Sequence, residues 1–131
     1  MLVSAQPSKE NAYQYTVDLT KVVNDRLYVE LKPPSLTTNE ATFYLPKIVP
    51  GTYAIADYGR FVQDFAAFDK KGKKLPVEKV DDNTWKIEDA NKLVKISYWI
   101  DDSWDTPMPG PEIFWPAGTN IEANKNFVLN T

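Results

Sequence analysis

The chain has 131 residues, 43% of them apolar and 13% aromatic, which suits one domain with a packed core and is too apolar for a disordered chain. A net charge of −3 argues against a nucleic-acid partner, which needs a basic face. The chain has no cysteine and no histidine, which excludes disulfides, thiolate nucleophiles, imidazole bases and the usual zinc ligands within it. Ser-His-Asp and Cys-His catalysis are therefore impossible here. No apolar run approaches the ~20 residues of a membrane-spanning helix.

Residues 1–12 read as an N-terminal tail. Val3-Ser4-Ala5 offers the small residues of a signal-cleavage site, without an apolar stretch ahead of it. An extracytoplasmic protein (periplasmic, secreted or surface-associated) is the expectation from that motif; an ordinary polar tail is the plainer alternative. Residues 13–131 read as one domain.

In Tyr13–Leu19, Tyr13, Tyr15, Val17 and Leu19 alternate with polar residues, the pattern of a half-buried strand. Val23-Asn24-Asp25 supplies a turn. Leu27–Leu31 repeats the alternation, with Leu27, Val29 and Leu31 inward, and Pro33-Pro34 ends it because proline cannot donate to a ladder. Ser35–Asn39 is a polar loop. Ala41–Leu45 is a third strand, with Ala41, Phe43 and Leu45 on one face.

Leu45–Arg60 then breaks the alternation. Pro50-Gly51 predicts a tight turn, since proline fixes φ and glycine admits φ > 0. Tyr53 and Tyr58 offer rings to anchor it. The stretch fits a corner at which the chain changes sheets, or a shaped surface that docks another domain. Ala54–Gly59 is expected as a turn or one helical turn. Arg60–Asp69 is expected as a strand, with Phe61, Phe65 and Ala67 on one face.

Lys70–Lys73 with Gly72 is a hairpin connection. Its lysines, with Lys74, suit a solvated turn better than an anion site, as charge runs usually do. Leu75–Val80 enters through Pro76 and so belongs near an edge. Asp81-Asp82-Asn83 turns the chain into a strand with Trp85 and Ile87 inward. Asp89-Ala90-Asn91 turns it again. Leu93–Ile100 is the strongest strand, with Val94, Ile96, Tyr98 and Ile100 expected on the core face.

Asp101–Asn124 holds four prolines, Trp104 and Trp115, and no period; a loop this long is functional or packed under its own aromatics. Phe127–Leu129 reads as the start of a strand that the chain end interrupts. The whole pattern indicates an all-β protein, an antiparallel β-sandwich that is immunoglobulin-like or related, with a Pro-Gly corner and a long aromatic loop. A strand cut near Thr131 would leave an open edge, so a homodimer by strand pairing is expected.

Carboxylates are the chemistry that remains. Asp101, Asp102, Asp105 and Glu112 could bind calcium, though no EF-hand spacing is present, and a pair of carboxylates could serve glycoside hydrolysis. Tyr98, Trp99, Trp104, Phe114 and Trp115 could form a sugar-stacking platform, or simply fill the core and anchor the loop.

Several pieces taken together carry a resemblance: Leu45-Pro46, Pro50-Gly51-Thr52-Tyr53, Asp57-Tyr58-Gly59-Arg60, Asp69 with Gly72, Leu75, Lys79 with Asp81, Trp85-Lys86-Ile87, and Tyr98. Over about Tyr13 to Ile100 the chain resembles the N-terminal domain of the glycyl-aminopeptidase family of zinc metallopeptidases. In that family a thermolysin-like catalytic domain follows, and often a PDZ domain. Ile48 departs from the Trp often found between the two prolines. The His-Glu-x-x-His zinc motif is absent, so the resemblance carries over no catalytic or metal residue. It implies a non-catalytic domain whose partner is the catalytic domain of the same parent chain, where the zinc would sit. Candidate docking or cleft-wall residues are Pro50, Gly51, Thr52, Tyr53, Tyr58, Arg60, Trp104 and Trp115. A carbohydrate-binding module using the aromatic loop, and a structural module without a ligand, are the alternatives.

Overall fold

The computed structural model describes residues 11–107 and 117–129. Nine strands follow one another there: β1 (Gln14–Val17), β2 (Arg26–Lys32), β3 (Glu40–Tyr44), β4 (Val62–Asp69), β5 (Val77–Asp81), β6 (Thr84–Glu88), β7 (Leu93–Asp101), β8 (Asn120–Glu122) and β9 (Asn126–Val128). They form a four-stranded sheet of order β1-β2-β7-β4, a three-stranded sheet of order β3-β6-β5 and a β8-β9 ribbon, with every pair antiparallel. The all-β antiparallel sandwich expected from the alternation is the observed fold. No helix among the described residues is long and apolar enough to cross a membrane.

The core follows the period-two pattern. Leu27, Val29 and Leu31 of β2, Ile96, Tyr98 and Ile100 of β7, and Trp85 and Ile87 of β6 are all buried. The two sheets meet through rings. Phe65 of β4 stacks on Trp85 across the interface, with centroids 5.0 Å apart and planes at 17°. Phe65 also stacks on Tyr98 at 6.1 Å, and Phe43 meets Trp85 edge-on at 6.0 Å. Such pairs contribute about 0.5–1.5 kcal/mol each beyond the area they bury.

Four expectations change, each for a local reason. In β1 only Val17 packs on the core; Tyr13, Tyr15 and Leu19 remain 64, 45 and 43% exposed, because β1 is the outermost strand of its sheet. The strand expected from Arg60 starts at Val62, and Tyr58–Phe61 forms a 3₁₀ turn instead. Phe61 therefore buries in a separate small cluster with Ala56 and Tyr58. Within β4 the register shifts between Gln63 and Ala66, and Asp64 takes φ 53°. This bulge inverts the alternation, so that Val62 is inward before it and Ala67 after it.

Val94 was expected in the core, yet it is 42% exposed and Leu93 is buried. A second register shift causes this: Phe68 pairs with Lys95 but Asp69 with Leu93, leaving Val94 as the unopposed residue. Finally, the stretch 101–124 is not loop throughout, because β8 begins at Asn120 and pairs with β9. The shifted register predicts that Leu93→Ala costs about 2–5 kcal/mol in urea unfolding. Val94→Ala should stay within about 0.5 kcal/mol. Equal losses at both positions would contradict it.

Candidate docking surface

The crossing from β3 to β4 carries the chain from one sheet to the other, and hydrogen bonds close it into a defined loop. The Thr52 N–H donates to the Val49 carbonyl (3.1 Å), and Gly51 takes φ 92°, as a turn with Pro50 and Gly51 at its centre requires. The Thr52 hydroxyl donates to the same carbonyl at 2.8 Å. The Ala56 and Asp57 N–H groups both donate to the Lys47 carbonyl at 3.0 Å, and Tyr58 donates to that of Pro46 at 3.2 Å. The loop's return limb is thus tied to its outgoing limb.

One side chain then fastens the loop to the β5–β6 turn. The Asn83 Oδ1 accepts the buried Gly59 N–H at 3.0 Å, and its Nδ2 donates to Asp57 Oδ1 at 2.8 Å. Its backbone carbonyl accepts the Leu45 N–H at 2.9 Å, where the loop begins. This approach requires glycine at position 59. A methyl there would collide with the Asp82 carbonyl oxygen and lie 2.7 Å from the Asn83 Cα. The turn itself is braced by Asp81, whose carboxyl is held below its usual range chiefly by the Asn83 N–H, then by Thr84, with Lys47 of the crossing loop adding its charge.

A second loop stands beside the first, and its foot is clamped by buried polar groups. The Asp102 carboxylate accepts the Trp104 N–H at 2.7 Å and the Ile121 N–H at 2.6 Å. The Ser103 N–H and hydroxyl donate to the Thr119 carbonyl at 2.9 and 3.0 Å, and the Thr119 N–H donates back to the Ser103 hydroxyl at 2.8 Å. The two loops meet through Ala117, which packs with Val49 against Ala56, Tyr58 and Phe61.

The structure thus brings most of the sequence candidates together. Pro50 and Gly51 form the exposed turn, and Thr52 closes it from inside. Tyr58 anchors the loop as expected, and burial pushes its phenol up from the ordinary value. Tyr53, at φ 53° just past the glycine, is 88% exposed instead of packed under the loop. Arg60 donates from Nε to the Ala56 carbonyl at 3.1 Å and lies 4.5 Å over the Phe61 ring. Trp104 is half-buried at the foot of the second loop. Trp115, Phe114 and Glu112 lie outside the described residues, as do Val3-Ser4-Ala5 and Thr131.

Other readings lose members. Tyr98 is fully buried, whereas Trp99 lies on the opposite face of β7 against Tyr28, with centroids 5.2 Å apart, so these two do not share a sugar platform. Asp101 meets Arg26 Nε at 3.1 Å and accepts from Gln63 at 3.0 Å, while Asp102 is used by the clamp. Among the described residues no three acidic side chains gather as a metal site. Asn83, Gly59, Ser103 and Thr119 went unread as fastening groups in the sequence. Their only signals were a glycine at the end of a stretch expected as a turn or one helical turn, and an ordinary Asp-Asp-Asn turn.

Comparison with known proteins gives the family. Residues 14–131 match the Peptidase M61 N-terminal domain. The chain belongs to that family. The same β-fold appears in the crystal structure of an aminopeptidase N family protein from Idiomarina loihiensis, with a TM-score of 0.62 and 23% identity over 70% of this chain. The match spans 15% of that longer chain. No curated protein matches. This peptidase N-terminal domain therefore presents, at one end of its sandwich, two loops fused by a small apolar cluster.

The fastening can be tested in the domain alone. Asn83→Ala orphans the buried Gly59 N–H and should cost about 1–3 kcal/mol in urea unfolding. Gly59→Ala should cost at least as much, since backbone must move. Stability within about 0.5 kcal/mol of wild type for both would refute the arrangement.

Proposed function

We propose that the domain is a non-catalytic wall. It packs on the catalytic domain of its own parent chain, a zinc aminopeptidase by the resemblance, and the loop 47–58, with the foot of the second loop at 102–107, lines one end of the substrate cleft. The carrying observation is that a loop tied at several points still holds large apolar groups in solvent. Tyr53 is 88% exposed, Ile55 56% and Ile48 44%, on a loop whose base is buried. Apolar side chains held out by a braced loop suit an interface, because the ordering entropy of docking is already met.

The zinc of this reading belongs to the catalytic domain of the parent. This chain lacks histidine and cysteine, and its described carboxylates form no cluster of three. The domain's contribution is positional. A wall that closes one end of a cleft leaves room for a free amino terminus and excludes the middle of a longer chain. Cleavage is then confined to terminal residues by sterics, without any group of this domain touching the scissile bond.

The test uses the full-length parent with Tyr53→Ala and Ile55→Ser together. Losing an interface anchor of ~1–2 kcal/mol should lower the preference for amino-terminal over internal cleavage by about tenfold. The urea midpoint of the isolated domain should not change, since both side chains are exposed. Unaltered kinetics and an unaltered terminal preference would reject the proposal.

A further inference from the structure

The opposite end of the same sheet holds a different feature. The turn after β4 carries Lys70, Lys71 and Lys73, and the 3₁₀ turn before β7 carries Lys92. Pairing of Asp69 with Leu93 sets these two turns side by side. Between them lies a hollow of about 560 Å³, walled by the four lysines and floored by Leu93 and Val94. That volume lies within the range of small-molecule sites. Ser35 and Asn91 add a hydroxyl and an amide to its rim. An adjoining concavity shares Lys70 and Val94 and adds Lys32 and Lys95.

The charge there is poorly neutralised. Lys92 pairs with Asp89 at 3.1 Å and Lys95 with Glu30 at 2.8 Å, but Lys32, Lys70, Lys71 and Lys73 make no salt bridge among the described residues. The one acid in the wall, Asp69, is turned to the backbone, where its Oδ1 accepts the Lys71 and Lys73 N–H groups at 2.8 and 2.9 Å. Its carboxyl is held below the usual range, most by the Lys73 N–H, then by the Lys71 N–H and the charges of both lysines, against an opposing desolvation. A lysine run on one turn alone would be an ordinary solvated face. Here a second turn from a distant part of the chain closes the wall, and the register shift brings an apolar side chain to its floor. A chain of net charge −3 thus concentrates unpaired cations around a hollow.

We propose that this hollow binds a phosphate-bearing ligand with an apolar flank. The ammonium groups meet the phosphate oxygens as point charges, Ser35 and Asn91 supply directional hydrogen bonds, and the Leu93–Val94 floor accepts the carbon portion. A soluble phosphoester and a lipid headgroup share this chemistry. The register Val62↔Ile100 at one end of β4 and Asp69↔Leu93 at the other places the hollow away from the loop 47–58, so docking through that loop leaves it open.

The probes are pyrophosphate, followed by calorimetry at low salt, and sedimentation with vesicles of phosphatidylglycerol or of phosphatidylcholine. The variant is Lys70→Gln with Lys71→Gln and Lys73→Gln; the control is Lys21→Gln with Lys47→Gln and Lys125→Gln, which removes equal charge elsewhere. Binding of pyrophosphate, weakened about tenfold or more by the first variant and not by the control, supports a soluble ligand. The same dependence seen only with phosphatidylglycerol vesicles supports a headgroup. No binding in either arm, or equal weakening by variant and control, overturns the proposal.

Discussion

The carboxamide of Asn83 is the point on which the end of the sandwich depends. Its Oδ1 and Nδ2 hold the Gly59 N–H and the Asp57 carboxylate, and the backbone carbonyl of the same residue holds the Leu45 N–H. These belong to the start and the return of the crossing loop, so one turn of the smaller sheet fixes how the chain enters the larger one. Each bond contributes only about 1 kcal/mol net. Their weight comes from burial: with Asn83 gone, a buried donor at Gly59 has no water to turn to. The approach also demands a residue without a side chain, and the sequence has glycine there.

Much of the fold could be read because its strands are half-buried. A strand with one wet face writes its orientation as alternation, and β2, β3 and β6 were legible residue by residue for that reason. Proline placed β5 at an edge and ended β2. What failed were positions where a single extra residue changes the phase. The left-handed Asp64 and the unopposed Val94 leave no compositional trace, because a bulge is a property of a pair of strands and only one is visible at a time. Tyr13 and Tyr15 misled for a different reason. Alternation says which side chains share a face, and not whether a second layer covers that face.

The candidate surface was partly legible. Pro50-Gly51 announced its turn, and Tyr58 its anchor. Asn83 and the pairing of Ser103 with Thr119 were not, since their effect lies in contacts across 24 and 16 residues of sequence. Polar residues that hold loops look like polar residues that merely expose them. The structure separates the two by burial: Asn83 and Ser103 are 7% and 1% exposed, whereas Tyr53, the large ring, is in solvent. A loop that buries its fastening polar groups while Tyr53, Ile55 and Ile48 stand exposed is inverted for a free-standing surface and natural for one that meets a partner.

Hydrogen–deuterium exchange compares the two situations directly. The amides of residues 48–56 would be followed in the isolated domain and in the full-length parent chain. Docking on the catalytic domain predicts slower exchange across this loop in the parent, with the Lys70–Lys73 turn at the far end of β4 exchanging equally in both. Identical exchange of residues 48–56 in the two proteins would contradict the account.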